Sequence, residues 1–106
     1  MHVGVLRLAF HLPEARSLKE KRSRVKRFKE RVRNRFDVSI AEVAAQDLLQ
    51  RAVFGVCVVS GDAHVCDAVL AKVGDAAATD EEMVLTDRAT EIIPLGDELY
   101  GGDDGD

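Results

Sequence analysis

The stretch "QRAVFGVCVVS", residues 50–60, is apolar on both of the faces that a two-residue period defines. A strand reads this way when both of its sides are covered, which places it at the centre of a sheet. Its natural neighbour is the opening "VGVLRLAFHL", residues 3–12, where Gly4, Leu6, Leu8, Phe10 and Leu12 fall on one face and Val3, Val5, Arg7, Ala9 and His11 on the other. Pro13 lacks an N–H for the ladder and ends that strand. Between the two, "FDVSIAEV", residues 36–43, alternates Val38 and Ile40 with Asp37 and Ser39, a further strand, and "AAQDL" is a polar break suited to a turn.

Ser17 followed by Glu20 forms a capping box ahead of "RSLKEKRSRVKRFKERVRNRF", residues 16–36, so a first helix starts there. Advancing about 100° per residue, Leu18, Val25, Phe28, Val32 and Phe36 share an arc of roughly 80°, the stripe of a helix lying on a sheet. Lys21 alone among the charged residues has its Cα inside that arc, and its long stem is expected to carry the ammonium out to water. After the central strand, Ser60 or Asp62 can cap a second helix, in which Val65, Cys66, Val69, Leu70, Val73 and Ala77 share an arc opposite His64, Asp67 and Ala71. Past the loop "ATDEE", the segment "MVLTDRATEII", residues 83–93, reads as the last strand, stopped by Pro94, with an alternation too irregular to fix its register.

The order strand, helix, strand, strand, helix, strand, joined by right-handed crossovers and one hairpin, predicts an α+β fold. It is the ferredoxin-like split βαβ (βαββαβ), a four-stranded antiparallel sheet of order 4-1-3-2 with two helices on one face. The other face then carries Val3, Val5, Ala9, Val53, Cys57 and Val59, with Arg7 opposite Gly55. So apolar a face is expected to pack against a second copy of the chain, with Arg7 in the interface. Residues 1–95 form the single domain, since 106 residues support one modest core. Residues 96–106, "GDELYGGDDGD", are expected to be an acidic, mobile tail whose Asp97, Glu98, Asp103, Asp104 and Asp106 compete with any polyanion for the basic helix.

Charge is the strongest functional signal. The chain has a formal net charge of −4, yet residues 16–35 hold eleven of its fifteen basic side chains against two acids. On the first helix Lys19, Arg22, Lys26, Lys29 and Arg33 form one flank, Arg24, Arg31 and Arg35 the other, and Arg27 points outward. A solvated helix mixes signs to gain i to i+4 pairs, and here only Glu20 and Arg24 are well placed for one. Lys19, Arg22, Arg24, Lys26, Arg27, Lys29, Arg31 and Arg33 are therefore the candidate RNA or polyanion contacts. An acidic protein surface is the alternative partner.

Enzyme signals are weaker. Glu42, Asp47, Arg51 and His11 gather around the expected hairpin and make a third, small-molecule reading, for which structural ion pairing is the plainer use. His2, His11 and His64 are scattered, Cys57 and Cys66 lack zinc spacing and read as reduced buried thiols, and the tail does not match a calcium loop, so no metal or cofactor is expected. No phosphate loop or nucleophile elbow occurs, and no catalytic residue is assigned. The longest apolar run, "AVFGVCVV", is too short for a bilayer, and the opening residues do not resemble an export signal. A cytoplasmic protein without membrane contact is expected.

The segments "SLKEKR", "RNRF", "VSIAEV" and "QRAVFGV" together resemble the YlxP-like family of small bacterial proteins, a domain of unknown function, over about residues 3–95. The resemblance implies a ferredoxin-like fold and assigns no catalytic residue. Many members are encoded beside translation initiation and ribosome maturation factors, which implies a ribosome-linked role. The acidic tail departs from the family pattern, as does Leu49, where members often carry an aromatic residue.

Overall fold

The computed structural model describes residues 1–96. The expected acidic tail beyond Gly96 lies outside the described residues. The elements run β1 (His2–His11), α1 (Leu18–Arg35), β2 (Ser39–Ala44), β3 (Arg51–Ser60), α2 (Ala63–Ala78) and β4 (Val84–Pro94). They form one antiparallel sheet of order β2-β3-β1-β4, which is the ferredoxin-like topology read in the opposite direction.

The registers follow from side-chain parity. β1 meets β3 with Arg7 facing Gly55, Val5 facing Cys57 and Leu8 facing Phe54, so the apolar sets of both central strands coincide. Leu6, Leu8, Phe10, Phe54 and Val56 are buried beneath the helices. Phe10, Phe28 and Phe54 form the centre of the core, with ring centroids 4.9–5.7 Å apart in edge-on or tilted pairs. Both edge strands carry a bulge: Val43 is extra between Glu42 and Ala44, and Thr86 between Leu85 and Asp87. The second explains why β4 alternates so poorly in sequence.

Each helix starts where its cap is encoded. Ser17, in extended conformation, accepts the Glu20 amide at 3.1 Å, and Asp62 accepts the His64 amide at 2.8 Å. α2 buries Cys66, Leu70, Val73, Gly74 and Ala77 and leaves Val65 exposed. It lies close on β1 because Gly4 has no side chain; a Cβ there would sit 2.8 Å from Leu70 Cδ1. α1 packs toward β2. A groove of about 640 Å³ separates the last turns of α1 from the end of α2 and the loop beyond it, floored by Phe28, Val32 and Phe36.

Lys21 overturns the expectation that its ammonium reaches water. The residue is 1% exposed, and Nζ donates to Ala45 O at 2.5 Å and lies 3.4 Å from Gln46 O. Glu42 Oε2 is 3.2 Å away, an ion-pair distance off the hydrogen-bonding direction. The apolar arc of the first helical turn faces the β2–β3 turn, where Ala45 adopts a left-handed φ of 63°. Backbone carbonyls released from the ladder there need a donor, and Lys21 supplies it.

Candidate polyanion-binding face

The eight basic residues divide into two groups. On the flank of α1 toward the α2–β4 loop, Arg24, Arg27 and Arg31 are matched with acids. Arg24 pairs with Glu20 at 2.9 Å and lies 3.4 Å from Glu82 O. Arg27 makes a two-pronged contact with Glu82, at 3.0 Å from Nε and 2.6 Å from Nη2, and also donates to Ser23 Oγ. Arg31 pairs with Asp80. Asp80 is itself fixed, since its Oδ1 accepts the amides of Glu82 and Met83 at 2.8 and 2.9 Å and its side chain is almost fully buried. The loop thus carries a preformed acidic brace for this flank.

The opposite flank has no such brace. Lys19, Arg22 and Lys26 are exposed and Lys29 is half-buried, and among the described residues none has an ion-pair or side-chain hydrogen-bond partner. Arg33 extends this line and donates to Ile40 O at 3.1 Å, with no acid paired to its charge among the described residues. The five lie at alternating three- and four-residue steps over roughly 21 Å of helix, a single file of positive charge. Such a file is suited to a run of phosphates.

The brace also titrates. The hydrogen bonds from Arg27 hold the Glu82 carboxyl below the usual carboxylate range, opposed by a smaller burial effect, while the nearby charges of Arg27, Arg24 and Arg31 act in the same direction as the hydrogen bonds. A carboxyl depressed in the folded state stabilises the fold fully above its unfolded value of about 4.3 and loses that contribution as pH falls through the folded value. Glu82→Gln is therefore less stable than the parent at neutral pH, by a gap that closes below about pH 4. Urea unfolding of both proteins across acidic pH measures the gap; a gap independent of pH contradicts the pairing.

The other expected sites fall as follows. Of the hairpin group, Glu42 faces Lys21, His11 Nδ1 lies 3.1 Å from Gln50 O, and Asp47 and Arg51 are exposed. Neither the groove between the helices nor the smaller cleft of about 240 Å³ beside Pro13 is lined by any of the four. On the open sheet face Val3, Val5 and Cys57 are half-buried and Val59 is 60% exposed, while Arg7 pairs with Asp87 at 3.0 Å. Ala9 and Val53 are covered by their own chain, next to the two bulges. Cys57 is thus a half-exposed free thiol, whereas Cys66 is buried as expected.

Residues 3–90 match the family described as "Protein of unknown function (DUF503)". The chain belongs to DUF503. Within 47 residues, 44% of this DUF503 chain, it is 53% identical to the uncharacterized protein YlxP of Bacillus subtilis (strain 168), and it spans about half of that relative's length. A solved structure of the REP-associated tyrosine transposase bound to a REP hairpin aligns over 94% of this chain and 61% of that one, at 10% identity and a TM-score of 0.43. No helix among the described residues is long and apolar enough to cross a membrane.

Asp80 and Glu82 stand in the sequence as part of the loop "ATDEE", with no partner assigned to them. The signal was available in "ATDEE", three acids in a row in a chain with one dense basic segment. What sequence does not supply is which flank of α1 the loop meets, because those contacts join residues about fifty positions apart.

Proposed function

We propose that this DUF503 protein is a non-enzymatic factor that docks on the phosphate backbone of structured RNA, ribosomal RNA foremost, through Lys19, Arg22, Lys26, Lys29 and Arg33. One observation carries the reading: these charges lie in file without an acidic counterpart among the described residues, beside a flank on which Arg24, Arg27 and Arg31 are each paired with an acid. Holding like charges in line is unfavourable in isolation, and neutralising phosphates with release of their counterions offsets that repulsion. Backbone contacts of this kind orient a protein on RNA without reading sequence, so affinity for RNA shape with little sequence preference is expected.

The sheet is not the RNA platform. RRM-type binding stacks bases on aromatics of the central strands, and here Phe10 and Phe54 are buried under the helices. The resemblance to YlxP-like proteins, with their gene neighbours in translation, supports the ribosome as the source of that RNA. Sedimentation of tagged protein with ribosomal subunits at low salt, before and after nuclease digestion, tests the proposal. Co-sedimentation that digestion abolishes is the expected result. Recovery that survives digestion points instead to an acidic protein surface, and absence of co-sedimentation overturns the ribosomal assignment.

A further inference from the structure

We infer that the open face of the sheet is a self-complementary interface and that the protein forms a face-to-face dimer through it. Helices cover only one side of the sheet. The other presents Val3, Val5, Cys57, Val59 and Ile93 together with Val43, which the β2 bulge tips over Gly55 so that a Cβ at Gly55 would lie 3.2 Å from Val43 Cγ1. Val43 and Val59 are more than half exposed, an unfavourable position for valines clustered on one surface.

Charge and area both favour a second copy as the occupant. The charged residues on this face are balanced, Arg7 and Arg51 against Asp87 and Glu91, with the Arg7–Asp87 pair at its centre. That balance disfavours a strongly charged partner such as a polyanion or an acidic peptide. A two-fold axis lying in the interface plane beside the pair sets each Arg7 against the Asp87 of the other copy, so the same patch serves both sides. Four strands about 4.8 Å apart and some eight residues at about 3.4 Å give roughly 500 Å² of face, or about 1,000 Å² over two copies, the lower limit for a stable interface.

One consequence rests on the RNA reading: the two α1 helices lie on the outer sides of the dimer. Their basic files point away from each other, so one dimer joins two RNA segments instead of clamping one.

Sedimentation velocity without RNA tests the interface independently of that reading. The full chain at high micromolar concentration is expected to sediment at twice its chain mass. Val59→Glu is expected to weaken association about 100-fold or more. Arg7→Asp is expected to weaken it as well, and adding Asp87→Arg to restore it, a rescue that separates lost association from lost folding. Far-ultraviolet circular dichroism confirms that each variant is folded. A full chain that is monomeric throughout, or variants that associate as tightly as the parent, overturns the proposal.

Discussion

Lys21→Met destabilises the protein by about 3–5 kcal/mol, the scale seen when one member of a buried ion pair is removed. The substitution keeps the apolar stem in the core arc but withdraws the ammonium from two carbonyl acceptors and from its ion-pair partner Glu42. Glu42, with its side chain 18% exposed, is left as a stranded carboxylate beside a fully enclosed site, and the Ala45 and Gln46 carbonyls lose their donor. Adding Glu42→Leu recovers the part of the loss due to the carboxylate, because a well-packed apolar pair is often as stable as the ionic one. It does not recover the part due to the carbonyls, on the order of 1–3 kcal/mol for unpaired buried acceptors. Urea unfolding of the three proteins measures this, and a loss below about 1 kcal/mol for Lys21→Met contradicts the role assigned to the lysine.

The second large effect concerns the unbraced flank. Reversing Lys19, Arg22, Lys26 and Lys29 to Glu abolishes measurable binding to a structured RNA at moderate salt, since it replaces attraction at four phosphates by repulsion. Substituting Gln at Arg27 and Arg31 changes affinity far less, because Glu82 and Asp80 already neutralise those side chains in the free protein. Equal losses from the two sets would mean that the brace opens on binding. The same residues make Glu82→Gln an informative companion, since it frees Arg27 and is expected to strengthen RNA binding a few-fold.

Local chemistry made most of the fold legible. Ser17 and Glu20 mark the start of α1 within one turn, and the observed register, with Arg7 against Gly55, is one that matches the parities of "VGVLRLAFHL" and "QRAVFGVCVVS". Three features escaped such reading for the same reason. The burial of Lys21 depends on a turn twenty-four residues away, the brace on a loop some fifty residues away, and the Thr86 bulge on how β4 must bend to stay paired with β1. The cover over Ala9 and Val53 likewise belongs to the bulged ends of the sheet and not to either strand's own pattern.

The file of charge on α1 is itself a one-turn-by-one-turn pattern, and so was visible in sequence as one of two flanks. Only the structure divides the flanks into braced and unbraced. The salt dependence of RNA affinity tests that division most directly. With about five phosphates neutralised, log affinity is expected to fall against log salt with a slope of about −3.5 to −4.5, roughly a 10²–10³-fold loss between 50 and 200 mM. Single substitution of Arg22, Lys26 or Lys29 by Gln should each reduce that slope by about one, while substitution of Arg27 leaves it unchanged. An affinity insensitive to salt, or a slope that responds to Arg27 and not to Lys26, contradicts docking through the unbraced face.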